Sequence, residues 1–135
     1  MPYVIDWYIE NRVIRLRFFG DLTQREFEDS NKDLGLFVKR GTPPLLLQVD
    51  FRQLNKFPQS LSKMLEPLQQ FRSEDDPVVW TIILSSNRLY SFFGAMASKV
   101  INTPMSVFET QQEADALIAR HLSDLAQPKA VEENP

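Results

Sequence analysis

A nearly continuous apolar run at residues 45–50, read as LLLQVD, restricts the fold of this chain more than any other feature. Such a run is typical of a strand that is covered on both faces. Two shorter strand patterns precede it, and helix and strand patterns alternate after it to the end of the chain. This order predicts a small α/β domain built around a central strand.

The two N-terminal runs predict an antiparallel hairpin. Residues 3–10 are rich in aromatic and β-branched side chains, which strands favour. From Ile14 to Phe18, apolar side chains alternate with Arg15 and Arg17, as expected of a strand with one face in solvent, and Val13 and Phe19 flank this pattern. Only residues 11–12 separate the two runs, and this spacing suits a tight turn.

A helix should follow the hairpin. Gly20 and Asp21 are expected to end the second strand, and Thr23 with Glu26 has the spacing of a capping box at a helix start. The apolar periodicity continues to about Arg40, where a glycine and two prolines stop it. The predicted helix therefore begins after Thr23 and leads into the central strand.

The second half of the chain repeats the alternation of helix and strand. The predicted elements are a helix at 59–72 with a kink near Pro67, a strand at 78–84, a helix at 89–101, a strand at 105–108 and a helix from 110 to about 126. Buried strands joined by helices imply parallel pairing. We therefore expect about five strands in a mostly parallel sheet, an N-terminal antiparallel hairpin and about four helices, arranged as two layers or a sandwich.

Length and composition limit the class of protein. The 135 residues suit one domain, which we place at 1–126, with residues 127–135 expected to form a disordered tail. The net charge is −3 and the basic residues are interspersed, so nucleic acid is not an expected partner. The chain has no long apolar run, no secretory signal pattern and no cysteine, and a cytoplasmic location is the expectation.

Three short stretches carry a family resemblance. They are FGDLT at 19–23, the central strand at 45–50, and MSVFE at 105–109 leading into Glu113 and Ala114. In this order they resemble the SpoIIAA-like branch of the STAS superfamily, the anti-sigma-factor antagonists, whose fold is related to lipid-binding domains of the Sec14 type. The resemblance covers the chain to about Ala126. It implies a regulatory module that binds a partner protein.

The resemblance fails at the position of the family's phosphorylation switch. In the antagonists, the central strand is followed by an Asp-Ser-Ser-Gly motif whose serine is phosphorylated to release the partner. When Asp50 is set against the family's strand-end aspartate, residues 58–61 (PQSL) meet the motif, and Gln59 takes the place of the phosphoacceptor. Ser60 is a weak phosphosite candidate at a helix start, and an N-cap is the favoured interpretation. We expect the switch to be absent.

No residue pattern predicts catalysis, a cofactor or a metal site. His121 is the only histidine and lies on the apolar stripe of the last helix, so a structural role is favoured over a general base. The acidic run at 74–76 is typical of a solvated loop, and Ser85 and Ser86 have no base in their sequence context. The chain is therefore not expected to be an enzyme.

The predicted helix at 89–101 is apolar over more than one stripe, and this excess suggests a binding patch. The patch consists of Tyr90, Phe92, Phe93 and Met96. A partner protein, a second copy in a homodimer, an apolar ligand or a membrane surface could cover it, although only two cations lie nearby. Coverage by the predicted 59–72 helix is an equally weighted alternative.

Two functional hypotheses follow. The favoured one is a non-catalytic regulatory or protein-interaction module, which should have a filled interior and an exposed docking surface. The alternative is a carrier or sensor of a small hydrophobic ligand or lipid, which should have a cavity beneath the 89–101 helix.

Overall fold

The fold is a five-stranded sheet with helices on both faces. A computed structural model describes residues 2–56, 77–86 and 104–126. Its elements are β1 Tyr3–Ile9, β2 Val13–Asp21, α1 Gln24–Arg40, β3 Leu45–Lys56, β4 Val78–Leu84, β5 Met105–Phe108 and α2 Gln111–Ala126. The predicted helices at 59–72 and 89–101 lie outside the described residues.

The strands follow one another in the sheet in chain order, with β3 at the centre. β1 and β2 are antiparallel, and every later neighbouring pair is parallel. The predicted α/β class, the hairpin and the mostly parallel sheet of five strands are confirmed. The bounds of β4, β5 and α1 also agree with the predictions.

Asparagine takes the place of glycine in the hairpin turn. The Arg12 N–H donates to the Ile9 carbonyl at 3.0 Å, and Asn11 between them has a φ of 64°. Asparagine tolerates this left-handed conformation better than other non-glycine residues. The tight turn therefore forms without the usual glycine.

The capping box at the start of α1 is present. The Glu26 N–H donates to the Thr23 hydroxyl oxygen at 3.1 Å, and the Thr23 N–H donates to the Glu26 carboxylate at 2.9 Å. At the other end, the Gly41 N–H donates to the Phe37 carbonyl at 3.1 Å. Backbone groups at both ends of the helix thereby have hydrogen-bond partners, as the sequence predicts.

β2 and β3 are longer than predicted. Gly20 and Asp21 were expected to break β2, but they pair with Leu54 and Lys56 of β3. Gly20 has a φ of +64° and two register shifts lie near it, so the pairing continues through an irregular segment that glycine accommodates. The expectation that Asp50 ends its strand is wrong, because β3 continues for six residues beyond it.

Strand alternation separates two cores. On one face, the inward residues of β2 and β3 pack with α1; this cluster includes Ile14, Leu16, Phe18, Phe27, Leu34, Leu47, Val49 and Phe51. On the other face, α2 packs over a smaller cluster, which includes Val13, Leu46, Ile82, Leu84, Ala114, Leu117 and Ile118. The two helices thus lie on opposite faces of the sheet.

Candidate functional site

Five charged side chains share the α2 side of the sheet on β1, β2 and β3. They are Asp6, Arg15, Arg17, Asp50 and Arg52, and we call them the charged face. Their neighbours along each strand pack on the α1 side, so alternation turns these five toward the α2 side. The backbone of α2 approaches β4 and β5 most closely, and the charged face remains partly exposed beside it.

Asp6 and Arg15 form a two-point pair across the β1–β2 hairpin. The Arg15 Nε and Nη2 atoms donate to the two carboxylate oxygens of Asp6 at 3.0 and 2.8 Å. These hydrogen bonds lower the pKa of Asp6 below its ordinary value and raise the pKa of Arg15. The Arg15 guanidinium also lies 5.2 Å from the centre of the Tyr8 ring. Arg15 is therefore held by two hydrogen bonds and a ring contact.

Asp50 and Arg52 form a second pair along β3. Residues two apart on a strand share a face, and this spacing lets Arg52 Nε and Nη2 donate to the Asp50 carboxylate at 3.0 and 2.8 Å. The Arg52 backbone N–H donates to the same carboxylate at 2.9 Å. The Asp50 side chain is only 8% exposed, so these donors compensate a buried charge. The hydrogen bond to Asp50 raises the pKa of Arg52.

Arg17 lies between these pairs and has no close partner of its own among the described residues. Its Nη2 atom is 3.6 Å from Asp6 Oδ2, which is beyond hydrogen-bond distance, and its buried Nε has no acceptor. The guanidinium lies 6.0 Å from the centre of the Phe19 ring. Three arginines and two aspartates give the charged face a net charge of +1, and Arg17 is the one arginine of the face that no two-point pair holds.

A polar network connects the sheet beside the charged face to α2. Gln48 and Gln111 exchange two hydrogen bonds of 2.9 and 2.8 Å. Gln111 also donates to Asp115 at 2.9 Å, and the Tyr8 hydroxyl donates to Asp115 at 2.6 Å. This last bond raises the pKa of Tyr8. The start of α2 is thereby held at a fixed distance from β1 and β3.

An open groove of about 500 Å³ continues from this network between the end of β1 and α2. Its lining is mostly apolar: Tyr8, Ile9, Asp115, Ile118, Ala119 and Leu122. Because Tyr8 also lies under Arg15, the groove and the charged face adjoin. The cavity predicted beneath the 89–101 helix involves residues outside the described part of the chain.

The predicted site residues Ser60, Tyr90, Phe92, Phe93 and Met96 lie outside the described residues, as do residues 58–61 and the acidic run at 74–76. Their assignment remains a prediction.

The other candidates of the sequence can be placed. His121 is half-buried, with its ring 4.7 Å from that of Trp80, so it packs against the sheet. Ser85 is buried at the end of β4, and its backbone N–H donates to the Phe108 carbonyl. Over residues 2–56, 77–86 and 104–126, no three histidine or acidic side chains converge as metal ligands would.

Sequence reasoning identified Arg15 and Arg17 as the solvent face of β2 but missed the carboxylates that accompany them. One local signal was available. Asp50 and Arg52 are two residues apart, and this spacing in a strand places opposite charges side by side. The pairing of Asp6 with Arg15 depends on the hairpin register, in which these two residues are direct partners.

No helix in the described part of the chain has both the length and the apolar content to cross a membrane. Neither a protein-family model nor a curated protein matches the sequence.

Solved structures do match. An uncharacterized DUF3478-family protein with a SpoIIAA-like fold from Shewanella loihica PV-4 aligns with a TM-score of 0.59 at 16% identity, over 85% of this chain and 90% of that chain. The Bacillus cell fate determinant SpoIIAA in its phosphorylated form aligns with a TM-score of 0.56 at 16% identity, over 86% of this chain and 98% of that chain. The unphosphorylated anti-sigma factor antagonist SpoIIAA aligns with a TM-score of 0.57 at 15% identity, over 87% of this chain and 96% of that chain.

These likenesses extend over most of each compared chain, and they agree with the element order and the mixed sheet described above. The chain therefore has a SpoIIAA-like fold of the STAS type.

Proposed function

We propose that the protein is a non-catalytic, STAS-like regulatory module that acts by binding another protein. The observation that carries the proposal is the charged face on a SpoIIAA-like fold. One of the structures with this fold is that of an anti-sigma factor antagonist, a protein whose activity is regulatory. A shared fold alone does not imply a shared function, so the chemistry of the charged face has to support the proposal.

The charged face has properties that suit protein recognition. Its side chains stand on three neighbouring strands, and the two ion pairs fix four of the five charges in place. A rigid surface loses little conformational entropy on binding. Arginine is also enriched at the energetic centres of protein interfaces. Aromatic side chains, Tyr8 and Phe19, lie directly beside the guanidinium groups.

The magnitude of the charge argues against two other partners. A nucleic-acid site needs several uncompensated cations, and each basic residue near an anionic membrane contributes only about 1 kcal/mol. The charged face offers a net charge of +1, since two of its three arginines are paired with aspartate. A protein surface, which can match one charge and adjoining apolar area, fits better.

The proposed module works without the family's phosphoserine switch. In the alignment that sets Asp50 against the family's aspartate, Gln59 takes the place of the phosphoacceptor, and an amide cannot accept a phosphoryl group as a serine hydroxyl does. Binding would then be controlled by the amount of the protein or by a different signal. A phosphorylated Ser60 in protein purified from the source cells would contradict this part of the proposal.

Site-specific photocrosslinking in the source cells tests the proposal. Phe19, whose ring lies beside Arg17 of the charged face, and Leu36, which is 50% exposed on α1 on the other side of the sheet, are each replaced by benzoylphenylalanine. We expect one protein to crosslink at position 19 and not at position 36. The supporting result is a complex rebuilt from this purified protein and the wild-type chain. Failure to rebuild a complex, or crosslinking at position 36 alone, contradicts it.

The groove beside β1 favours a second candidate function, the binding of a small hydrophobic ligand. Its volume of about 500 Å³ lies within the range of small-molecule sites, and Ile9, Ile118 and Leu122 provide apolar walls. Binding of a fluorescent fatty acid that Leu122→Gln weakens, with Leu36→Gln as the matched control, would support it. Equal binding by both variants would contradict it.

The predicted patch of Tyr90, Phe92, Phe93 and Met96 leads to a proposal about self-association. Changing Phe92 and Phe93 to serine should weaken a homodimer without unfolding the domain. Sedimentation velocity measures the change, and an unaltered association constant would exclude this helix as the interface.

A further inference from the structure

The charged face contains one guanidinium that is available for a new partner. Arg15 and Arg52 each donate through Nε and Nη2 to both oxygens of an aspartate. Arg17 stands opposite Asp50, and its ion pair is the 3.6 Å contact with Asp6, whose carboxylate already receives two hydrogen bonds from Arg15. Of the three arginines, Arg17 is therefore the one whose guanidinium is bound least firmly by aspartate.

The environment of Arg17 also contains an unsatisfied donor. Its Nε atom is buried and has no acceptor among the described residues. A buried donor without an acceptor is costly, because it has lost its hydrogen bond to water. The Arg17 side chain as a whole is nevertheless 33% exposed, so a ligand can approach it from solvent. A small rotation of the side chain toward solvent would bring both Nε and Nη2 to one acceptor group.

We infer that Arg17 is the anchor for a carboxylate of the partner protein, supplied by an exposed glutamate or aspartate side chain. This inference rests on the proposed function. A carboxylate has two parallel acceptors, which match the Nε and Nη2 donors of a guanidinium. The two existing pairs on the same face already display this geometry, with distances of 2.8 to 3.0 Å.

Charge complementarity supports an acidic partner. The charged face carries three positive and two negative groups, and one added carboxylate makes it neutral. Asp6 and Asp50 would repel a second anion, so the face should bind a single carboxylate rather than a doubly charged group. This distinguishes a glutamate or aspartate side chain from inorganic phosphate, which carries more than one negative charge at neutral pH.

Nuclear magnetic resonance of the arginine Nε–H groups tests the inference with defined probes. Acetyl-Gly-Glu-Gly-amide is added to the ¹⁵N-labelled full chain, and acetyl-Gly-Gln-Gly-amide serves as the uncharged counterpart. We expect the Arg17 Nε–H signal to move downfield and to saturate with the glutamate peptide, since this donor gains an acceptor. The glutamine peptide should bind at least about tenfold more weakly.

Two variants and one control complete the test. Arg17→Lys, which loses the two-point geometry, should weaken binding of the glutamate peptide about tenfold, whereas Arg40→Lys at the exposed end of α1 should not change it. Asp6→Asn removes the carboxylate that lies 3.6 Å from Arg17, while Asp50 remains beside Arg17 on β3, and should tighten binding by roughly two- to fivefold. Unchanged amide spectra show that each variant is folded.

Several outcomes would overturn the inference. They are an Arg17 signal that does not move, equal responses to both peptides, a response of Arg17 no larger than that of Arg40, and tighter binding of inorganic phosphate than of the glutamate peptide. Because the peptides replace the partner, these outcomes leave the rebuilt complex of the crosslinking experiment untouched. If the complex forms but no carboxylate of the partner lies at Arg17, the inference about Arg17 is refuted and the proposed protein-binding function still stands.

Discussion

Gln48 of β3 and Gln111 of α2 form a reciprocal amide pair that joins the sheet to the helix, although the two residues are 63 positions apart in the chain. Each amide nitrogen donates to the other's oxygen, at 2.9 and 2.8 Å. Gln48 is fully buried, so its amide depends on this partner in place of water. The pair fixes the start of α2 over the central strand.

Removing one member of the pair should cost more than replacing both. Gln111→Ala leaves the buried Gln48 amide without an acceptor or a donor, and we expect a loss of about 1–3 kcal/mol in the free energy of unfolding. The double variant Gln48→Met with Gln111→Met removes both amides and should lose less. Urea unfolding of the three proteins measures the difference. A double variant that is less stable than Gln111→Ala would show that the amide pair is not the cause.

A second prediction concerns the stability that Arg52 provides by binding the buried carboxylate of Asp50. Arg52→Met keeps much of the side-chain volume but removes two charge-assisted hydrogen bonds to Asp50. We expect the free energy of unfolding to fall by about 1–3 kcal/mol, and Asp50→Asn in the same background to recover part of the loss. Arg40→Met is the matched control, since Arg40 is exposed at the end of α1. Equal effects of the two methionine variants would contradict the account of this pair.

The contact between β1 and α1 predicts a dependence on alkaline pH. The Tyr3 hydroxyl donates to Asp33 at 2.6 Å, and this hydrogen bond to a carboxylate raises the pKa of Tyr3 to about 12. An unfolded tyrosine has a pKa of about 10. The stability that this bond contributes is therefore complete below about pH 10 and is lost as the pH rises from about 10 to 12.

Tyr3→Phe should consequently be less stable than the wild type below pH 10 and should lose less stability between pH 10 and 12. Urea unfolding at a series of pH values measures both effects. Asp33→Asn removes the charge that holds the proton, and its tyrosine absorbance should titrate at lower pH. A wild-type protein in which all tyrosines titrate together near pH 10 would refute the prediction.

The capping box of α1 can be tested separately. Thr23→Ala removes the oxygen that accepts the Glu26 N–H, and we expect a loss of about 1 kcal/mol in the free energy of unfolding. Thr23→Ser retains the hydroxyl and should remain close to the wild type. If serine and alanine destabilise equally, the side-chain oxygen does not act as the cap.

The sequence predicted those elements whose signals are local. An apolar run predicted β4, and the spacing of Thr23 and Glu26 predicted the start of α1, because capping chemistry depends on neighbouring residues. At Gly20 the local signal indicated a break, yet pairing with β3 extended β2 to Asp21. Tertiary pairing therefore overrode local preference there.

The charged face depended on information that the sequence does not contain directly. Arg15 and Arg17 were assigned to the solvent face of β2 by alternation. The register with β1 decides which of the two forms the two-point pair with Asp6. Asp6 stands opposite Arg15 in the hairpin and leaves Arg17 with a contact of 3.6 Å. A shift of two residues in this register would place Asp6 opposite Arg17 in place of Arg15.

Native mass spectrometry of the wild-type chain, mixed with the protein that crosslinks at position 19, tests the central claim most directly. We predict that the chain alone carries no retained small molecule, and that the mixture forms a complex that Arg17→Glu weakens and Arg40→Glu does not. A retained lipid-sized mass, or a complex indifferent to charge reversal at Arg17, would contradict the account of a protein-binding module that docks through its charged face.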